Sequence, residues 1–95
     1  MAITRRNRCV HDIVYDILTV LSRNGEMCKT ALCLSANLPV DRCNRILKLL
    51  EANGLIRREP DERVKRYRIC ERGYVYLGLY VKVHEILLFP KPGGR

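Results

Sequence analysis

Residues 38–73 constrain this chain more than any other stretch. Cys43, Ile46, Leu47 and Leu50 fall at i, i+3, i+4 and i+7, which reads as one apolar face of a short helix over residues 41–53. Asn53-Gly54 stops that helix, because glycine adopts the left-handed backbone that a helix end needs. Residues 55–59 and 64–70 then read as two antiparallel strands joined through Pro60, Asp61, Glu62 and Arg63. The second strand alternates, with Tyr67 and Ile69 on one face and Arg66 and Arg68 on the other. Helix, glycine stop, strand, charged tip and strand need further helices to cover their apolar faces, and the rest of the chain must supply them.

It does so with three more helical patterns. Residues 8–23 read as a first helix with Val10, Ile13, Val14, Ile17 and Leu21 in one stripe, Asn7 as its cap and Asn24-Gly25 as its stop. Met27 and Cys28 predict a strand of one or two residues, and residues 29–37 a short helix with Leu32, Cys33 and Ala36 turned inward. Leu38-Pro39-Val40 is the turn into the third helix, whose first turn carries Asp41 at the positive end of the helix dipole. Residues 71–88 read as a fourth helix. Tyr74, Leu77, Val81, His84 and Leu88 step along one face, and Tyr76, Tyr80, Val83 and Leu87 along another. A helix apolar over so much of its circumference needs two burial surfaces. A second copy of the chain is expected to cover one, through Tyr74, Leu77, Tyr80, Val81, His84, Leu87 and Leu88. The fold class that follows is mainly α with a small β-hairpin (α+β): a winged helix-turn-helix followed by a dimerisation helix. Its expected divisions are a basic arm over 1–7, the winged domain over 8–70, the dimerisation helix over 71–89 and a tail over 90–95.

Eighteen Lys and Arg against 10 acids give a net charge of +8 in 95 residues. Such a balance favours a polyanionic partner, and the charge is clustered rather than spread. On the third helix, Arg42, Asn44, Arg45 and Lys48 lie off the apolar face. Arginine and asparagine pair with guanine and adenine edges through two hydrogen bonds, so these four are the candidate base readers. Arg57, Arg58, Arg63, Lys65, Arg66 and Arg68 lie on or near the hairpin, where they suit phosphates; the alternative is a charged edge that prevents aggregation. Asp61 and Glu62 argue against deep insertion of the tip, which favours the strand arginines. Arg5 and Arg6, with Arg8, form either a phosphate-tracking arm or a solubilising tail.

Other classes find less support. No glycine-rich phosphate loop, G-x-S-x-G or H-E-x-x-H occurs, and no enzyme, cofactor or small-molecule substrate is expected. Five cysteines cannot all pair within one chain, and none shows the paired short spacing of a zinc site. Cys33 and Cys43 fall on core faces, where small apolar packing is the expected role, with an internal or intersubunit disulfide as the alternative. The apolar stretch 74–89 holds Lys82, His84 and Glu85, so no membrane span is expected, and no secretory leader is evident. His84 is expected at a subunit contact and His11 on an exposed face.

Several runs carry a family resemblance. These are Val14-Tyr15-Asp16-Ile17-Leu18, Lys29-Thr30-Ala31-Leu32, Ala36-Asn37-Leu38, Asn53-Gly54-Leu55-Ile56, and Tyr67-Arg68-Ile69-Cys70-Glu71-Arg72-Gly73. With them the chain resembles the small archaeal winged-helix DNA-binding proteins, the ten-kilodalton type of Sulfolobales chromatin and related predicted transcription regulators. The resemblance implies a homodimer held through the last helix, with the third helix in the major groove and the wing on the flanking backbone. Pro39 stands where that family has a serine cap, Cys70 where it has threonine, and Pro90 shortens the last helix, so a compact helix-to-helix contact is expected in place of a long coiled coil. The resulting expectation is double-stranded DNA binding by a transcription regulator or nucleoid protein in the cytoplasm, or in a host's cytoplasm if viral. The alternatives are an RNA-binding winged helix and one that binds an acidic protein.

Overall fold

The computed structural model describes residues 9–59, 63 and 66–87. Among these residues the order of elements is α1 (Val10–Asn24), β1 (Glu26–Cys28), α2 (Lys29–Ser35), α3 (Val40–Ala52), β2 (Ile56–Arg58), β3 (Arg66–Ile69) and α4 (Glu71–Ile86). A mainly helical domain with a small antiparallel sheet is thus the observed class.

α1 starts at Val10 because Cys9 is extended and its backbone N–H donates to Asp12 Oδ2 at 3.3 Å. Cys9 is therefore the N-cap residue in place of Asn7, which lies outside the described residues. Ile13, Ile17, Leu18 and Leu21 on this helix are buried against Leu32 of α2, Leu47 and Leu50 of α3, and Ile56 and Tyr67 of the sheet.

Two helices end in the same way. At the end of α3, Gly54 takes φ 75°, its N–H bonds to Glu51 O at 3.0 Å, and the Leu55 N–H bonds to Leu50 O at 2.9 Å. At the end of α2, Asn37 takes φ 57°, and the pairs are Asn37 N–H to Leu34 O at 3.1 Å and Leu38 N–H to Cys33 O at 3.0 Å. Asparagine tolerates the left-handed region, so α2 closes at Ser35 rather than at residue 37.

β3 is central and pairs antiparallel with both β1 and β2. The register sets Glu26 opposite Arg68 and Arg68 opposite Arg57, with Met27 opposite Tyr67. Opposed residues share a face. Met27, Tyr67, Ile56 and Ile69 therefore face the core, and Glu26, Arg57, Arg66 and Arg68 face outward.

Cys33 and Cys43 form a disulfide that joins α2 to α3, with their Cα atoms 5.7 Å apart. This corrects the expectation of simple apolar packing. Both side chains point into the same interior space from either side of the turn, where packing and bonding look alike in a hydrophobicity pattern.

α4 enters the fold through a close approach. Gly73 is buried, and a Cβ there would stand 2.6 Å from Leu55 O, so only glycine lets the helix start this near β2. The Cys70 N–H bonds to Leu55 O at 2.9 Å and fixes the same corner. Further along, Tyr76 and Leu77 pack on the core and Tyr80 stacks on Tyr15 with centroids 4.4 Å apart. The inward line of α4 therefore takes members from both expected apolar faces. The helix ends at Ile86, before residue 88.

Candidate nucleic-acid interface

α3 presents an outward ridge opposite its buried face of Cys43, Ile46, Leu47 and Leu50. At about 100° per residue, Asp41, Arg45, Lys48 and Ala52 fall on the line most distant from the core, and all four are exposed. Arg42 and Asn44 are half-buried, on opposite flanks of that ridge. Of the four candidate base readers, Arg45 and Lys48 stand outermost, while Arg42 and Asn44 lie on the flanks.

The sheet carries its arginines in an ion-paired lattice. Arg68 Nε stands 3.0 Å from Glu59 Oε2 and 3.7 Å from Glu26 Oε1. Arg66 reaches Glu26 at 3.8 Å and Arg57 reaches Glu59 at 3.6 Å. Arg58 belongs to the other face, and its Nε donates to Glu51 Oε2 of α3 at 2.9 Å. Arg63 is exposed. Among the described residues, Arg42, Arg45, Lys48 and Arg63 are in no such pair. Arg5, Arg6 and Lys65 lie outside the described residues. Tyr67 sits beneath this lattice. Burial raises its phenol pKa, Glu51 adds to the rise, and Arg58 opposes it.

The acids Glu26, Glu51 and Glu59 escaped the sequence reading as partners of the wing. Glu26 is the clearest case: its pairing with Arg68 depends on β1 lying beside β3, which no local pattern signals.

A second surface lies between α1 and α4. An apolar groove of about 590 Å³ is lined by Cys9, His11, Asp12, Tyr76, Leu79, Tyr80, Val83 and His84. Tyr80 Oη donates to Asp12 Oδ1 at 2.6 Å, and Tyr76 Oη meets His11 Nδ1. Burial raises the Tyr80 phenol well above its ordinary value, reinforced by the bond to Asp12. His84 is exposed, and its ring lies tilted against Tyr80 with centroids 4.4 Å apart. Of the residues expected at a subunit contact, Tyr74, Val81 and Leu87 are exposed, Leu77 and Tyr80 pack on their own domain, and Leu88 lies outside the described residues. Val75, Leu79, Val83 and Ile86, which were not expected there, form an exposed stripe beside the groove, from 55% to 84% accessible.

No helix among the described residues is long and apolar enough to cross a membrane. Nor do three or more His, Cys, Asp or Glu converge there as metal ligands would.

The arrangement has solved counterparts. The chain superposes on Sso10a-2, a DNA-binding protein from Sulfolobus solfataricus, with a TM-score of 0.69 at 21% identity, over 82% of this chain and 83% of that one. A MarR family transcriptional regulator from Silicibacter pomeroyi matches with a TM-score of 0.63 at 28% identity, over 78% of this chain and 56% of that one. A point mutant of MarR from E. coli, solved with operator DNA, matches with a TM-score of 0.66 at 15% identity, over 75% and 53%. The chain thus spans little more than half of the MarR proteins and most of the Sulfolobus one. No curated protein sequence matches it. A helix-turn-helix with a paired wing, and a family profile that fits residues 5–87, make the chain a member of the winged helix-turn-helix family.

Proposed function

We propose that this chain binds double-stranded DNA with a sequence preference, acts as a homodimer, and serves as a transcription regulator or nucleoid protein. α3 enters the major groove, and the β2–β3 hairpin lies on the flanking backbone. The observation that carries this reading is the ridge of α3, where Arg45 and Lys48 stand exposed and outside every ion pair among the described residues. The net charge of +8 supports it, as does the description of Sso10a-2 as DNA-binding. Arg45 reads a base edge, Lys48 and Arg63 neutralise phosphates, and Arg42 and Asn44 contact the groove walls.

Titration of a duplex at increasing salt tests the electrostatic part. If a dimer meets about six phosphates, log affinity falls against log salt with a slope near −5. Arg45→Ala should cost about 1–3 kcal/mol on a preferred sequence. A flat titration removes the reading. Unchanged binding in an Arg42→Ala, Arg45→Ala double variant would point to an acidic protein partner, and stronger competition by structured RNA would move the assignment to RNA.

A further inference from the structure

Asp41 suits the positive end of the α3 dipole, but it also stands on the face that would meet DNA. It lies in the first turn of α3, on the outermost line of the ridge, one turn before Arg45 and two before Lys48. Among the described residues, the acids beside the wing strands are engaged: Glu26, Glu51 and Glu59 each hold an arginine. Asp41 holds none among the described residues, although Arg45 stands a single turn away. On a helix that only neutralised phosphates, a carboxylate at the most outward position would oppose binding.

Base edges offer it a different role. An ionised carboxylate accepts hydrogen bonds and donates none. In the major groove the cytosine N4 amino group is a donor with no acceptor beside it on its own base, whereas the adenine amino group adjoins the N7 lone pair. The first turn of a recognition helix is the part that contacts base edges. Arg45 follows at i+4, about 6 Å along the helix axis, and arginine prefers guanine O6 and N7. Both side chains therefore face the groove floor within about two base-pair steps.

We infer that Asp41 is a specificity-determining residue whose carboxylate accepts from the N4 amino group of a cytosine near the guanine read by Arg45. The inference rests on the DNA-binding reading above and adds a base to it. It also gives the acid a role in discrimination: at any site lacking that cytosine, Asp41 is left beside an acceptor or a phosphate and weakens binding.

The test is selection from a random duplex pool at physiological salt by the full chain, with Asp41→Ala and Asp41→Asn compared with the parent. The parent should enrich a motif that contains the cytosine. Asp41→Ala should keep the rest of the motif and lose the preference at that position. Asp41→Asn should move it to adenine, since asparagine pairs with adenine N6 and N7. On a single enriched duplex, replacing the cytosine should weaken the parent between about fivefold and a hundredfold and leave Asp41→Ala nearly unchanged. A helix-stabilising role alone would lower the melting temperature of Asp41→Ala without altering the motif, and that result overturns the inference. So does a parent that binds duplex DNA with no preference. A parent that binds no duplex at all removes the DNA-binding reading itself. Asp41→Asn keeps the size and polarity of the site, so the comparison survives if Asp41→Ala does not fold.

Discussion

Gly73 shows how one missing methyl group positions an element. The space a Cβ would occupy is already taken by Leu55 O at 2.6 Å and by the Ile69 side chain. Gly73→Ala must push α4 away from β2 or distort the corner held by the Cys70 N–H bond. Overpacking of this kind costs about 1–3 kcal/mol, and a lowered urea midpoint in that variant is the expected result. Tyr80 tests a different force. Its phenol is half-buried, donates to Asp12, and has a pKa raised from the ordinary 10.0 first by burial and then by that bond. The folded state thus favours the neutral phenol. Its contribution is fully present below pH 10 and is lost as pH rises through the higher folded value. Tyr80→Phe should therefore be less stable than the parent by about 1 kcal/mol near neutrality, and the gap should close at strongly alkaline pH. Urea midpoints of both proteins at pH 8 and pH 11 measure it, and a constant gap would assign Tyr80 to packing alone. Neither residue announced its role in the sequence: Gly73 looked like part of a helix opening, and Tyr80 like one more apolar step.

At the scale of elements, α3 and the hairpin after it were legible because their signals are local. A 3.6-residue period ends at a glycine, and a two-residue alternation follows. The end of α2 was less so, since Asn37 ends a helix without glycine's marker. The disulfide and the wing's ion pairs were illegible for one reason: each joins residues that only the tertiary fold brings together. The Cys33–Cys43 bond staples the two helices of the helix-turn-helix. Its reduction should cost about 2–4 kcal/mol, read as a lower denaturation midpoint with dithiothreitol than without. On the wing, Glu59 sits between Arg57 and Arg68 and shields both from a phosphate. Glu59→Gln should tighten binding to random duplex and steepen the salt slope by about one. If neither changes, the outer face of the sheet lies away from the DNA, and the contact falls to α3 and Arg63 alone.

At the scale of the whole molecule, the described residues leave an apolar surface uncovered. α4 spends its inward line on Tyr76, Leu77 and Tyr80, yet Val75, Leu79, Val83 and Ile86 remain exposed along one flank. Leu79 and Val83 also line the groove against α1, so stripe and groove are continuous. Water against such a surface is unfavourable in proportion to its area, and a second α4 laid along it removes both faces from solvent. A two-fold pairing of this kind would hold two α3 helices at a fixed separation, which is what a palindromic site requires. A Leu79→Glu, Val83→Glu double variant places two carboxylates in that seam without touching the core. It should sediment as a monomer where the parent sediments as a dimer, and it should melt cooperatively. With one α3 per particle in place of two, its salt slope on duplex DNA should fall to about half of the parent's. A parent that remains monomeric at micromolar concentration would instead leave the stripe to a different partner, and each α3 would then bind its half-site alone.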